Sequence, residues 1–408
     1  MGKIDILKDL IVLELASVLA GPNVGAFFTE LGARVIKVEN LITKGDVTRN
    51  WKLPTEDPVN DVSSYFSCVN WGKQSISIDI TKKQGLKIIF ELVKKIDIVI
   101  VNYKPGDAEK LKVDYKTLNK LNKKIIYAHI TGYGMDIPWA GYDAIIQAET
   151  GFTYINGTPE SEPTKMPVAL MDLLAAHNLK EAILLALLKR ERTGKGSFVT
   201  SSLFQAGVSS LANQATNWLV GRKNPVRMGS DHPNIVPYGT VFQTKDKKEL
   251  VLAIGSDRQF ELLCEVLEKP ELGKDPKFKT NLDRVKNRIE IKKILKELII
   301  KHERDKLLEV LRKKKIPSGA VNKIQEVFEH PQGKNMILSG KTGIGQDIKG
   351  HRTVAFNFSN EGEDIPVSAP PHYGEHTIYI LRDFLGYECE NIKKLIAEDV
   401  IYARNEKK

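Results

Sequence analysis

The stretch Leu10-Ile11-Val12-Leu13-Glu14-Leu15-Ala16, followed by Val24-Gly25-Ala26-Phe27-Phe28-Thr29-Glu30-Leu31 and then Arg34-Val35-Ile36-Lys37-Val38-Glu39, reads as strand, helix, strand. The outer runs are short and rich in β-branched residues, and the middle one spaces its bulky apolar residues as a helix does. A strand that returns parallel to its predecessor needs such a crossover. The pattern continues outward: residues 75–80, 96–102 and 124–131 read as further strands, and residues 82–95 and 115–121 as helices. The fold class is α/β with a mainly parallel sheet.

Beyond this region the text is strongly helical over 172–189, helix-like over 206–220, and changes character at Gly221-Arg222-Lys223-Asn224-Pro225. A second, smaller α/β unit is expected from there, with strands at 240–243 and 250–254 and helices to about residue 314. The last part, with Pro370-Pro371 before Gly374-Glu375-His376-Thr377 and a closing helix, is expected to return to the first unit. A chain of 408 residues fits two domains, and 42% hydrophobic residues suffice for buried cores. No repeat, long linker or low-complexity tract interrupts it.

Apolar stretches such as Ala182 to Leu188 fall far short of the roughly 20 residues that span a bilayer, so no membrane association is expected. The opening residues lack a signal-type apolar region, and Ile6 stands where a myristoylation signal wants Ser or Thr. Cys68, Cys264 and Cys389 form no CxxC pair, which argues for a reducing compartment and against a metal cluster; a cytoplasmic location is the expectation. Net charge is +10, compatible with an anionic partner, but the lysines are dispersed. The densest basic stretch, residues 284–315, carries Ile289, Ile294, Leu295, Leu298, Leu307 and Leu311 at helical spacing. That is an amphipathic helical region with a solvated basic face, and without interleaved aromatic residues it is no nucleic-acid surface.

Ligands of parallel sheets bind beyond the carboxyl ends of the strands, here after Ala16, Glu39, Ile80 and Asn102. None of these loops carries GxGxxG or a P-loop, and Ala20-Gly21-Pro22 is too short to cradle a pyrophosphate, which disfavours an NAD-dependent dehydrogenase. GxSxG and HExxH are absent, and with them the case for a serine hydrolase or zincin. The informative segment is Pro167-Val168-Ala169-Leu170-Met171-Asp172-Leu173-Leu174, a lone carboxylate among apolar residues at a helix start. Asp172 fits a helix N-cap. It equally fits a nucleophile whose apolar flanks exclude water and raise its basicity. His177 lies five positions on, off the i+3 and i+4 spacings that would pair it with Asp172. His232 and His376 read as hydrogen-bonded loop residues and Cys264 as core.

At this point the residues resemble a known family, the class III CoA-transferases (CaiB/BaiF; formyl-CoA transferase and carnitine CoA-transferase type), together with α-methylacyl-CoA racemase. Leu13-Glu14-Leu15-Ala16-Ser17-Val18-Leu19-Ala20-Gly21-Pro22 is similar to the family's first strand and loop. Gly45-Asp46-Val47-Thr48-Arg49, Asn70-Trp71-Gly72-Lys73, Asn102-Tyr103-Lys104-Pro105-Gly106, Gly141-Tyr142-Asp143, Arg192-Thr193-Gly194-Lys195-Gly196 and His232-Pro233-Asn234 follow in order. Short motifs in the right order across nearly the whole chain are far more specific than any one of them.

The resemblance implies that Asp172 is the nucleophile, forming an acyl anhydride and then an aspartyl-CoA thioester, with no metal and no tightly bound cofactor; coenzyme A, whose phosphates suit a basic chain, and a carboxylic acid are the partners. Carried over position by position, the CoA-contacting residues are Leu19, Ala20, Asn40, Ile78, Asp79, Ile80, Thr81, Asn102, Tyr103, Lys104, Lys110, Tyr142 and Asp143. It also implies a Rossmann-like large domain from both chain ends (residues 1–200 and 323–408), a linker at 201–224, a small domain at 225–322, and two interlocked subunits in a homodimer. Asn40 and Lys110 replace arginines of formyl-CoA transferase, and residues 229–233 replace that enzyme's glycine-rich loop, so formyl-CoA is not the implied donor. Arg49, Arg222 and Arg227 are candidates to recognise a dicarboxylate. The alternatives are an acyl-CoA racemase, disfavoured because Tyr142 stands where that branch has a histidine base, and a catalytically silent acyl-CoA-binding protein.

Overall fold

The computed structural model describes residues 6–356 and 366–404; the opening residues 1–5, read above for targeting signals, lie outside them. In chain order the strands are β1 (Ile11–Glu14), β2 (Arg34–Asn40), β3 (Lys73–Ile78), β4 (Ile98–Val101), β5 (Ile126–Thr131), β6 (Ser197–Ser202), β7 (Tyr238–Gln243), β8 (Glu249–Ala253), β9 (Ser318–Ala320), β10 (Ile337–Lys341), β11 (Asp347–His351) and β12 (Ile401–Tyr402). Contacts divide the chain into two compact units. The first runs to Thr150, resumes over Pro167–Ala215 and takes up the chain again from Lys334; the second is Gly151–Met166 with Thr216–Gly333.

The first unit is an α/β fold around a mostly parallel sheet in the order β12-β3-β2-β1-β4-β5-β6. Only the short β12 runs antiparallel, against β3. Strand order reverses between β1 and β4, where successive crossovers depart to opposite sides. All four residues of β4 are fully buried, as the apolar sequence Ile98-Val99-Ile100-Val101 demands of a strand covered on both faces. The helix Lys83–Val93 turns Ile88, Ile89, Leu92 and Val93 inward to join Leu13, Ile36, Val99 and Tyr127 in one core. Burying each such aliphatic side chain contributes roughly 1.5–3 kcal/mol.

Strand β1 stops at Glu14, two residues before the expected end at Ala16. The chain turns at Val18, which takes a left-handed conformation (φ 72°) rare for a β-branched residue. Strand β6 has no counterpart among the expected strands, because Ser197-Phe198-Val199-Thr200-Ser201-Ser202 lacks an apolar run and lies at the sheet edge. Residues 201–224, expected as a linker, carry the helices Leu203–Ser209 and Asn213–Leu219.

The second unit packs the helices Asp257–Val266, Arg288–Ile299 and Arg304–Lys313 around a core with the antiparallel sheet β7-β8-β9. Cys264 is fully buried there, as its sequence context suggests. Two members of the expected amphipathic stretch behave otherwise. Ile289 is 85% exposed, because the helix start at Arg288 turns it outward. Arg284 is fully buried, its guanidinium bound to the Val236 and Phe278 carbonyls and to Asp257. Fixed carbonyls and a carboxylate replace the water that a lone buried cation would forfeit.

Candidate active site

The sheet order dictates where a cavity opens. At the β1/β4 reversal the following loops diverge, and here they are tied together across the gap: Ser17 N–H donates to Asn102 Oδ1 (3.2 Å), and Asn102 Nδ2 to the Ser17 carbonyl (2.8 Å). Both carboxylate oxygens of Asp46 hold the Val18 N–H (3.3 and 3.1 Å), fixing the left-handed turn. The strain at a β-branched residue is offset by a charge-assisted bond.

Behind these loops lies a buried ion network. Lys37 Nζ reaches Glu14 (3.1 Å), Asp46 (3.0 Å) and the Ala16 carbonyl (2.9 Å), so all three ammonium protons are used. Lys73 reaches the other Glu14 oxygen at 2.8 Å, and Arg49 grips Glu39 with Nε (2.8 Å) and Nη2 (2.5 Å). Burial opposes the charge on Asp46 and on Glu39, but Lys37 and Arg49 outweigh it and hold both carboxyls below the ordinary range. Burial wins at Lys73, whose pKa is pushed down to about 8. Gly25 leaves room for this network: a Cβ there would sit 1.9 Å from Glu14 Oε2.

Two adjoining cavities lie beyond the strand ends, with Leu15, Ser17 and Tyr103 on the rim of both. The first, about 280 Å³, takes Asn40, Ile78, Asp79, Ile80 and Thr81 from the ends of β2 and β3. Asp79 Oδ1 there accepts from the Thr81 N–H (3.0 Å) and hydroxyl (2.6 Å), closing a tight turn. The second, about 340 Å³, gathers Leu19, Ala20, Asn102 and Lys104 on one side and Tyr142, Asp143 and Asp172 on the other. Lys110 lines neither cavity; its side chain is 77% exposed and pairs with Asp107 one helical turn away.

Asp172 does not cap its helix. The helix Leu170–Thr193 begins two residues earlier, its N-cap position is Ala169, and Asp172 stands third in the first turn. The missing cap comes from another element: Asp143, first residue of the helix Asp143–Glu149, accepts the Met171 N–H on Oδ1 at 2.8 Å. Its other oxygen accepts from Gln147 Nε2 at 2.7 Å. Two glycines allow this docking, since a Cβ on Gly141 would lie 2.1 Å from the Gly132 Cα at the end of β5. The Asp172 carboxyl is pushed up to about 7, first by burial and second by the neighbouring charge of Asp143.

The histidines take the satisfied roles expected of them. His232 Nδ1 accepts from the Asn234 N–H, and His376 Nδ1 from the Ser75 N–H. His177 is exposed on its helix. The dicarboxylate role suggested for Arg49 is corrected: the side chain is 2% exposed, is spent on Glu39, the Asp61 carbonyl and the Pro371 carbonyl, and lies 3.7 Å over the Phe66 ring. In the second unit Arg222 is exposed, and Arg227 donates to the Tyr154 carbonyl at 3.0 Å.

Three residues at the site were not among the expected contacts. Val18 lines the second cavity in a conformation its residue type argues against. Trp139 lines it too, 64% exposed and edge-on to Tyr133 at 5.5 Å. Tyr65 stands near Asp172 and Asp143; its hydroxyl is pushed up to about 12 by burial first, and then by Cys68, Asp172 and Asp143. Only the exposed aromatic Trp139 beside the Gly141-Tyr142-Asp143 motif offered a signal in the sequence.

Among the described residues no helix is long and apolar enough to cross a membrane. Residues 7–377 match the model of the family described as CoA-transferase family III. The chain is 37% identical over 402 residues to the succinyl-CoA:glutarate CoA-transferase of Mus musculus, covering 97% of this chain and 90% of the relative. It is 38% identical over 386 residues to the succinate–glutarate CoA-transferase of Agrobacterium fabrum, covering 92% and 95%. Among solved structures, a CAIB/BAIF family protein from Brucella suis superposes with a TM-score of 0.82 at 38% identity, over 94% of this chain and all of the other.

Proposed function

Since this chain belongs to CoA-transferase family III, we propose that Asp172 carries the acyl group and then coenzyme A between two carboxylic acids. The observation supporting this most is the Asp172 carboxyl itself, raised to about 7 by burial and by the charge of Asp143, and facing a cavity at the strand ends. Such a carboxylate is more basic and more nucleophilic than an ion-paired one.

An Asp172 oxygen attacks the donor thioester carbon, and the C–S bond breaks to release the CoA thiolate and leave a mixed anhydride. The thiolate then attacks the Asp172 carbonyl carbon; the anhydride C–O bond breaks, the donor leaves as its carboxylate, and aspartyl-CoA thioester remains. An acceptor carboxylate repeats both steps in reverse, restoring Asp172 and forming the new acyl-CoA. No net proton or electron is exchanged. The protein supplies positioning and exclusion of the water that would hydrolyse either intermediate. The CoA moiety is assigned to the first cavity, with Asn40 and Ile78 to Thr81, and its thioester arm to the second, along Leu19, Ala20, Asn102, Tyr103, Lys104, Tyr142 and Asp143.

Donor and acceptor are proposed to be dicarboxylic acids, because the relatives just described are named for succinyl-CoA, succinate and glutarate. The active form is proposed to be an interlocked, cytoplasmic homodimer with its small domain at residues 225–322. Exposed Leu184, Leu185 and Leu188 on one helix support a subunit contact. Assays of CoA transfer from succinyl-CoA to glutarate, oxalate and other acids test the reading, with Asp172→Ala run in parallel. Transfer lost in that variant while CoA still binds is the expected result. Transfer retained by it, or deuterium exchange at the α-carbon of a branched acyl-CoA without transfer, overturns it.

A further inference from the structure

The nucleophile's setting poses a physical problem. A carboxylate in the first turn of a helix normally gains from the free N–H groups and the positive end of the dipole, and becomes less basic. Asp172 stands in that turn of a 24-residue helix, yet its carboxyl is pushed up to about 7.

We propose that Asp143 is a positioning residue that keeps Asp172 nucleophilic: its Oδ1 occupies the Met171 N–H, and its negative charge, facing the same cavity, opposes the dipole's hold on the Asp172 carboxylate. Three observations carry this. The Met171 N–H, adjacent in sequence to Asp172, is taken by Asp143 at 2.8 Å across 28 residues. Gln147 holds the other Asp143 oxygen at 2.7 Å, which fixes the carboxylate's direction, and Gln147 is itself fully buried. The Gly132–Gly141 contact presses the segment before Asp143 against the end of β5, where no side chain fits. Other titratable or charged groups lining the cavity are Tyr103 and Lys104 after β4 and Tyr142 beside Asp143, and Tyr65, from the short helix Ser64–Ser67, feels the charges of Asp172 and Asp143. Among them Asp143 is the group whose charge acts on Asp172.

This rests on Asp172 being the nucleophile, and Asp143→Asn and Asp143→Ala separate its two parts. Asparagine retains an oxygen for the Met171 N–H and loses the charge; alanine loses both. The pH dependence of carbodiimide labelling of the Asp172 peptide, read by mass spectrometry on the unliganded full-length protein, reports the Asp172 carboxyl without requiring turnover. The midpoint is expected near 7 in the wild type and lower by at least roughly half a unit in Asp143→Asn. The acidic limb of the kcat/KM profile is expected to move the same way, with kcat falling several-fold above pH 8. Asp143→Ala is expected to lower the melting temperature and kcat further, and Asp143→Glu to restore part of the midpoint shift.

An unchanged labelling midpoint in a folded Asp143→Asn overturns the inference, as does full activity of Asp143→Ala with a wild-type pH profile. A wild type that labels with the expected midpoint but forms no covalent adduct on Asp172 from any acyl-CoA sinks the proposed function instead, and leaves the electrostatic coupling standing.

Discussion

Two kinds of carboxylate stand at the strand ends of the first unit, and they are opposites. Glu39 and Asp46 lie beneath the strand ends with Arg49 and Lys37 against them, and their carboxyls are held below the ordinary range despite burial. Asp172 lies at the cavity with the like charge of Asp143 nearby, and its carboxyl is raised to about 7. Loss of water is common to both, complete at Glu39 and Asp46 and partial at Asp172; pairing differs. Low dielectric amplifies whatever surrounds a charge, so the same environment builds a rigid floor in one place and a reactive group in the other. The first set makes structure and the second stores instability that chemistry can use.

The contrast can be broken from either side. Asp172→Ala is expected to reduce transfer by at least about 10³-fold with the fold intact, measured by steady-state kinetics and circular dichroism. Lys37→Met removes the cation shared by Glu14 and Asp46, and is expected to cost roughly 3–5 kcal/mol in urea denaturation, because one partner of a buried pair is left uncompensated.

A third test uses pH. A carboxyl whose pKa is higher folded than unfolded contributes stability below its unfolded value, near 4, and loses it as pH rises to about 7. Asp172→Asn should therefore be more stable than the wild type at pH 8, by on the order of 3 kcal/mol, with the difference vanishing near pH 4. The ion-paired carboxylates carry the opposite sign: their contribution is present above about pH 4 and lost as pH falls below it. The smallest effect is expected at Lys110. With its side chain in solvent, Lys110→Ala should change stability by under about 0.5 kcal/mol and the KM for the acyl-CoA by less than twofold.

What the sequence disclosed follows the same divide between local and distant causes. The helix Tyr115–Leu121 and the strand Arg34–Asn40 were legible because apolar spacing and flanking turns are local, and the strand-end rule points to the loops where the cavities lie. The serine-rich β6 and the two-residue β12 were not, since neighbouring strands stabilise them and their own apolar pattern does not. Asp172 stood out as a lone carboxylate, but its place in the helix was misjudged, because the true cap arrives from Asp143 across 28 residues. The Glu14–Lys73 pair spans 59 positions and leaves no trace in the pattern of either strand. The resemblance supplied candidate site residues that spacing alone did not.

Covalent loading of Asp172 is the step on which transfer depends. Mass spectrometry of the protein mixed with acyl-CoA donors, with and without hydroxylamine, examines this directly. The predicted result is an adduct on the Asp172 peptide that hydroxylamine converts to a hydroxamate and that Asp172→Ala lacks. Turnover of the same donors with an unmodified Asp172 peptide under trapping conditions would contradict it.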